Sequence, residues 1–394
     1  MDTNQPVGAT ETSGSKKLII GIVVVLVIIF GGYFYFQNRT SQSVSTEPIK
    51  LGFVGPLTGD AAVYGETEKN TINLALQEIN TGNELNRKLE VIYEDGKCNG
   101  KDAVTAAQKL INVDKVKIIL GGFCSAETLG VAPLAEENKV ILFSSFSSSP
   151  AITNAGDYIF RNSPSDADVA RADAEFIVAQ GVKTIAIITE NTDYSQGVRG
   201  VMRRVFEQGG MTVNDEIFNS GEKDFRTILV KVKSFNPQAI YINVGTSPAI
   251  VGVIVKQIRE LNMGNTKIFS NYLASNADIL SVNSQAMERL VYSDFKDVTE
   301  FVGKLLEKYK AEFKKDPAHV LAMAARYDSV YIIKNAIKQC NGDSSDCIKK
   351  YLYNMPEYNG TFGKYRLDSN GDILLSGDFI IHKEIKNGKP VIIR

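Results

Sequence analysis

From Ile49 onward the chain repeats one unit, a short apolar strand followed by an amphipathic helix. Strand-like runs fall at Ile49–Val54, Lys88–Glu94, Val116–Gly121, Val140–Ser144 and Tyr158–Arg161. A second series follows at Thr184–Thr189, Thr212–Phe218, Ala239–Val244, Lys267–Ser270 and Arg289–Tyr292. Their Val/Ile-rich, nearly continuous apolar character suits strands covered on both faces. Between them lie helical stretches such as Thr67–Ile79, where Ile72, Leu76 and Ile79 form one stripe. Such alternation predicts an α/β fold with doubly wound parallel sheets. Ten strands are too many for one strongly twisted sheet, so two lobes are expected. The break falls near Asn162–Asp166, where Asn-Ser-Pro-Ser-Asp interrupts the pattern.

After Tyr292 the pattern changes. Glu300–Phe313, His319–Lys338 and Ser345–Tyr353 read as helices, and Lys364–Leu367, Gly377–Lys386 and Pro390–Ile393 as strands. Asp368-Ser-Asn-Gly-Asp372 has the look of a calcium loop, but Ile373 stands where such a loop needs glycine. Asn370-Gly371 reads instead as a two-residue hairpin turn.

Ligands of open parallel sheets sit outside the carboxyl ends of the strands. In the first lobe those ends carry Gly55-Pro-Leu-Thr-Gly59 with Tyr64-Gly65, then Gly121-Gly-Phe-Cys-Ser125, then Ser144-Ser-Phe-Ser-Ser-Ser149. These turns line a cleft with hydroxyls, rings and helix N-termini, which suit a carboxylate. Ser125 and Ser148 each stand just before a helix or turn, where the simpler role is that of an N-cap; one residue can do both. Tyr64 and Tyr194 can cover a ligand from opposite lobes, and Asn271 and Tyr272 are further pocket candidates. Glu190 and Asp193 are the acids beside Tyr194, and both read as solvated loop charges.

The N-terminal region is of another kind. Leu18–Phe36 is an uncharged run of 19 residues, long enough to span roughly 30 Å of hydrocarbon. Lys16 and Lys17 precede it and favour an N-terminus inside. A cleaved signal peptide is the rival, but the run is long and no Ala-x-Ala follows. The expected organisation is a cytoplasmic tail over 1–17, a transmembrane anchor over 18–36 and a flexible linker over 37–47. A first lobe would comprise 48–163 plus 294–354, and a second 164–293 plus 355–394. The expected localisation is the cell membrane, single-pass, with the binding domain extracytoplasmic, where disulfides are permitted. Cys98 and Cys124 follow adjacent strands and are expected to pair, as are Cys340 and Cys347 across one loop.

Formal net charge is -1 with charges well mixed, so nothing points to nucleic acid. Among nucleotide-binding and hydrolase motifs, no G-x-x-x-x-G-K-[ST], G-x-G-x-x-G or G-x-S-x-G occurs. The two histidines, His319 and His382, have no metal-ligand spacing, and none is placed to activate the Ser144–Ser149 cluster. The reading is a non-enzymatic receptor for a small molecule, without cofactor or metal. A sensor that signals through a partner protein is the second class.

These motifs, in order, resemble the periplasmic leucine/isoleucine/valine-binding proteins of bacterial ABC importers. The residues that carry the resemblance are Ile49-Lys-Leu-Gly-Phe-Val-Gly-Pro-Leu-Thr-Gly-Asp60, Tyr64-Gly65, Tyr93-Glu-Asp-x-x-Cys98 and Gly122-x-Cys124-Ser125. Gly221-Glu-Lys-Asp-Phe225, Tyr327-Asp-Ser-Val330 and Phe362-Gly-x-Tyr…Asn370-Gly-Asp372 complete it. The resemblance covers about 48–394. It implies a type I periplasmic binding fold, two lobes joined by three crossovers that close over ligand, and permease and ATPase partners. It also implies a Cys98–Cys124 bond. By position it assigns ligand contacts to Tyr64, Ser125, Phe146, Ser147, Ser148 and Tyr194. The chain departs from the family after Lys267–Ser270, where amino-acid binders carry an acid for the ligand's ammonium; here Asn-Tyr-Leu273 follows. A second-lobe tyrosine position falls near Gly245-Thr246, which has no ring.

Overall fold

The computed structural model describes residues 1, 8, 47–275, 284–296, 300–375 and 380–393. Nearly all of the expected tail, the Leu18–Phe36 anchor and nearly all of the linker lie outside the described residues. Among the described residues, no helix is long and apolar enough to cross a membrane.

The strand–helix repeat builds two sheets. The first has the order β2-β1-β3-β4-β5 and is parallel throughout, with β1 at Ile49–Gly55, β2 at Leu89–Asp95, β3 at Ile118–Gly121, β4 at Ile141–Ser144 and β5 at Ile159–Arg161. Its strands are separated by α1 (Ala62–Thr81), α2 (Gly100–Asn112) and α3 (Ser125–Glu137). Helices α9 (Glu300–Phe313), α10 (Val320–Cys340) and α11 (Ser345–Tyr353) join the same core, through Val302, Leu305, Tyr309, Ile333, Ile348 and Leu352.

The second sheet has the order β15-β14-β10-β9-β8-β6-β7. Strands β6 (Thr184–Glu190), β7 (Thr212–Phe218), β8 (Ala239–Asn243), β9 (Lys267–Ser270) and β10 (Leu290–Phe295) are parallel. The parallel strands meet an antiparallel edge, where β14 (Ile380–Lys386) pairs with β10 and β15 (Lys389–Ile392) pairs with β14. A tight Asn387-Gly388 turn joins that pair, and hairpin partners are antiparallel by construction. Helices α4 (Asp166–Ala179), α5 (Asp193–Gln208), α6 (Arg226–Phe235), α7 (Pro248–Glu260) and α8 (Ser284–Met287) complete this lobe.

Segment 355–394, expected in the second lobe as a whole, is divided between the two. Strands β11 (Tyr358–Gly360), β12 (Gly363–Leu367) and β13 (Ile373–Leu375) form a separate antiparallel sheet. Met355, Tyr365 and Leu367 enter the first core, whereas Ile385 enters the second. The boundary therefore falls between β13 and β14. The chain changes lobe three times: after β5, after β10 and after β13. The β12–β13 turn also differs from the two-residue hairpin, since Leu367 pairs with Ile373 and five residues lie between. Asp368 stabilises that wider turn by accepting from the amides of Asn370 and Asp372.

Both predicted disulfides are present, Cys98–Cys124 with Cα atoms 5.2 Å apart and Cys340–Cys347 at 5.9 Å. The first ties the turn after β2 to the start of α3, on the carboxyl side of the sheet.

Candidate functional site

In each sheet the order reverses at one point, between β1 and β3 in the first and between β6 and β8 in the second. A crevice opens where such a reversal occurs, so the side chains at these strand ends are the ones that matter.

Gly65 sets the position of Tyr64. A Cβ there would lie 1.9 Å from the Pro56 carbonyl oxygen, so only glycine lets α1 start this close to the β1 turn. Tyr64 then stacks on Phe123 with ring centres 5.0 Å apart, Phe123 on Phe146 at 5.1 Å, and Phe146 leans on His319 at 4.8 Å. Four rings from four separate segments thus form one continuous wall. Phe123 and His319 had no role in the sequence reading; a ring in each crevice turn was the available signal.

Acids hold the turns in shape, Asp95 half-buried and Glu127 fully buried. Asp95 accepts from the amide of Leu57 at 2.9 Å and the hydroxyl of Thr58 at 2.5 Å. Glu127 accepts from the amides of Cys98, Phe123 and Cys124 at 2.9–3.1 Å. Burial pushes Glu127 up to about 7, against the pull of those three donors. The Ser125 hydroxyl accepts from the Ser149 amide at 3.2 Å, joining the turn after β3 to the fourth turn, the one after β4. The N-cap of α3 is Cys124, so Ser125 is already the first helical residue.

The serines of the fourth turn divide. Ser147 is buried and its hydroxyl meets Thr128 Oγ1 at 2.6 Å and the Gly122 carbonyl at 3.0 Å, so it serves the scaffold. Ser148 points across the crevice and donates to Asp166 Oδ2 at 2.7 Å. The Asp166 amide in turn donates to the Ser148 carbonyl at 2.8 Å. Asp166 is the first residue of α4, just after the first crossover, with Ser165 as the N-cap. The Tyr194 phenol is bonded to Asp166 and to Tyr272. Ser148, Asp166, Tyr194 and Tyr272 therefore form one network that spans both lobes. Burial pushes the Asp166 carboxyl up to about 6, while Ser148, Tyr194 and the Arg161 guanidinium pull it down.

Arg161 anchors this corner from behind. Its Nε and Nη2 grip Asp372 at 2.6 and 2.8 Å, and its Nη1 donates to the Ser149 carbonyl at 2.8 Å. Asp372 closes the very turn that looked like a calcium loop.

On the second-lobe side the Tyr194 ring lies over Gly245, where a Cβ would come within 2.5 Å of it. The glycine that lacked the expected ring makes room for another. Asn271 spends its amide on the Val244 carbonyl at 2.8 Å and so serves the scaffold, while Tyr272 packs on Phe295 at 5.2 Å. Glu190 corrects the sequence reading. It is fully buried, not a solvated charge, and accepts from the amides of Gly245 and Thr246 at 2.9 and 3.0 Å. Asp193 is exposed in the first turn of α5.

Two α/β lobes, three crossovers and a crevice that joins hydroxyls, rings and one buried acid define a two-lobed small-molecule-binding protein. The chain belongs to the periplasmic binding protein family: that family's profile matches residues 48–381. It is 26% identical over 354 residues to the leucine-, isoleucine-, valine-, threonine- and alanine-binding protein of Pseudomonas aeruginosa, covering 87% of this chain and 91% of that one. Among solved structures it resembles the leucine binding protein LivK of Thermotoga maritima, with TM-score 0.75, 27% identity, and 88% and 98% of the two chains covered. A solute binding protein of an ABC transporter from Rhodopseudomonas palustris, solved with 4-hydroxybenzoate, shares the fold, with TM-score 0.75, 20% identity, and 88% and 95% of the two chains covered.

Proposed function

We propose that this chain is the membrane-anchored, extracytoplasmic substrate-binding component of an ABC importer. Its ligand is an α-amino acid, branched-chain or a related small polar one, held between two closing lobes. The names of the relatives at 26–27% identity support the class. The observation that carries the amino-acid reading is Asp166, a buried carboxylate bonded to Ser148 of one lobe and Tyr194 of the other. Such a group takes the place of the acid missing after β9 as partner of the ligand's ammonium. The ligand carboxylate goes to the N-terminal end of α3, where the helix dipole and the Ser125 hydroxyl favour negative charge. Tyr64 and Tyr194 cover the ligand from either side. A ligand that touches both lobes stabilises the closed form by its differential affinity, and a permease with its ATPase would read that form. The anchor rests on the apolar run Leu18–Phe36 behind Lys16 and Lys17.

A second reading, a carboxylate without an ammonium group, is favoured by the absence of an acid in Asn271–Leu273. Calorimetric titration of wild type and Asp166→Asn decides between them. On the amino-acid reading the variant loses at least about a hundredfold in affinity, the equivalent of about 2.7 kcal/mol. Wild-type affinity should also fall as pH drops through about 6, where the free carboxyl takes up its proton. Equal or tighter binding by the variant at pH 7 would favour the second reading.

A further inference from the structure

We propose that the ligand's side chain is planar and carries a hydrogen-bond acceptor, and that His319 is the residue that selects it. The inference rests on the amino-acid reading above and narrows it. His319 ends the ring wall that begins at Tyr64 and runs through Phe123 and Phe146. It also caps α10, because its Nδ1 accepts from the Ala322 amide at 3.2 Å. An imidazole that accepts at Nδ1 carries its proton on Nε2. Burial holds the ring well below its usual range, at about 4, with Asp294 pulling the other way, so it stays neutral at ordinary pH. Nε2 thus offers one N–H, and no hydrogen bond to it is found among the described residues.

The wall is partly accessible at Tyr64, Phe146 and His319, and covered at Phe123. The Tyr194 and Tyr272 phenols are bonded to each other, Tyr272 packs on Phe295, and the Tyr272 phenol lies within electrostatic reach of Tyr64 in the wall. Flat groups gain from offset stacking on such surfaces beyond their area burial. The Nε2 donor adds discrimination. An aliphatic side chain would strip water from Nε2–H and give nothing back, and a buried donor left unpaired is costly. A site built to hydrogen-bond a substrate group discriminates strongly against analogues that lack it. Amide or phenol side chains satisfy both conditions, whereas leucine, isoleucine and valine satisfy neither.

Calorimetric titration of the purified full-length chain, with detergent present throughout, tests this with leucine, isoleucine, valine, phenylalanine, tyrosine and glutamine. Tyrosine or glutamine should bind at least about tenfold more tightly than leucine and phenylalanine, at the lower end of what one such contact discriminates. His319→Phe keeps a ring in the wall and removes the donor. His319→Asn keeps a cap acceptor but is too short to reach the Nε2 position. Both variants should lose that tenfold preference, with tyrosine and glutamine bound more weakly than by wild type and leucine bound as tightly or more tightly, since no unpaired donor is left against it. Aliphatic ligands binding most tightly, or all ligands weakened equally by both variants, would overturn the role of His319 and leave the amino-acid reading standing. No binding by any amino acid, together with binding of 4-hydroxybenzoate, would overturn both.

Discussion

The two walls of the crevice reach their shape by the same device in unequal amounts. On the first-lobe wall, Asp95 and Glu127 bind the backbone amides of successive turns, a disulfide ties two of those turns together, and Arg161 grips the fourth by its carbonyls. On the second-lobe wall, Glu190 performs that service for Gly245 and Thr246, the uncharged Asn271 holds the Val244 carbonyl and the Leu273 amide, and no disulfide lies among its described residues. The contrast teaches where geometry is fixed in advance. A carboxylate is recognised by several donors at once, which must be set before it arrives. The opposite wall offers mainly phenol rings, whose contacts tolerate small displacements.

Three experiments would break or sharpen that contrast. Arg161→Ala strikes the first wall and should have the largest effect. It leaves the buried Asp372 without its partner, which costs about 3–5 kcal/mol for a pair of this kind; a midpoint in urea unchanged from wild type would refute the role of the clamp. The second concerns Glu127, whose folded value of about 7 lies above the ordinary value of about 4.3. The folded chain therefore holds this proton where the unfolded chain has lost it. Its contribution is full below about pH 4 and declines as pH rises to about 7, with a slope of at most about 1.4 kcal/mol per pH unit. Urea midpoints from pH 4.5 to 7.5 should show that decline, and Glu127→Gln should flatten it; equal slopes would contradict the assignment. The smallest effect is expected on the second wall. Gly245→Ala places a methyl against the Tyr194 ring, and displacement of that kind costs about 1–3 kcal/mol. It should appear as a lower urea midpoint together with weaker ligand binding; an unchanged affinity would mean that Tyr194 does not contact the ligand.

Much of the architecture was legible because buried parallel strands leave a strong mark. The apolar runs of β1 and β6 and the stripe of α1 each announced their element within a few residues. Strands β11 and β13 did not, being three residues each and lying in a small antiparallel sheet with polar positions. That is also why 355–375 was assigned to the wrong lobe. At the site, rings and hydroxyls at strand ends were visible, and Asp193 is the exposed charge expected, but Glu190 is buried and Asp166 carried no signal of its role. Glu190 closes a buried strand and Asp166 opens a helix, and an acid in a first helical turn normally signals only favourable dipole interaction. Only the folded chain brings Asp166 against Ser148, because the contact depends on how the first crossover bends.

The Arg161–Asp372 contact has a consequence for the order in which the protein is made. Its partners are 211 positions apart in the chain. A ribosome emits residues from the N-terminus forward, so β1 to β5 and the Cys98–Cys124 bond can be in place long before Asp372 exists. Through that interval the Ser147–Ser149 turn lacks the guanidinium contact that fixes its carbonyls, and a chain cut short before Asp372 never gains it. The nascent molecule is thus denied a finished crevice until Asp372 has been added.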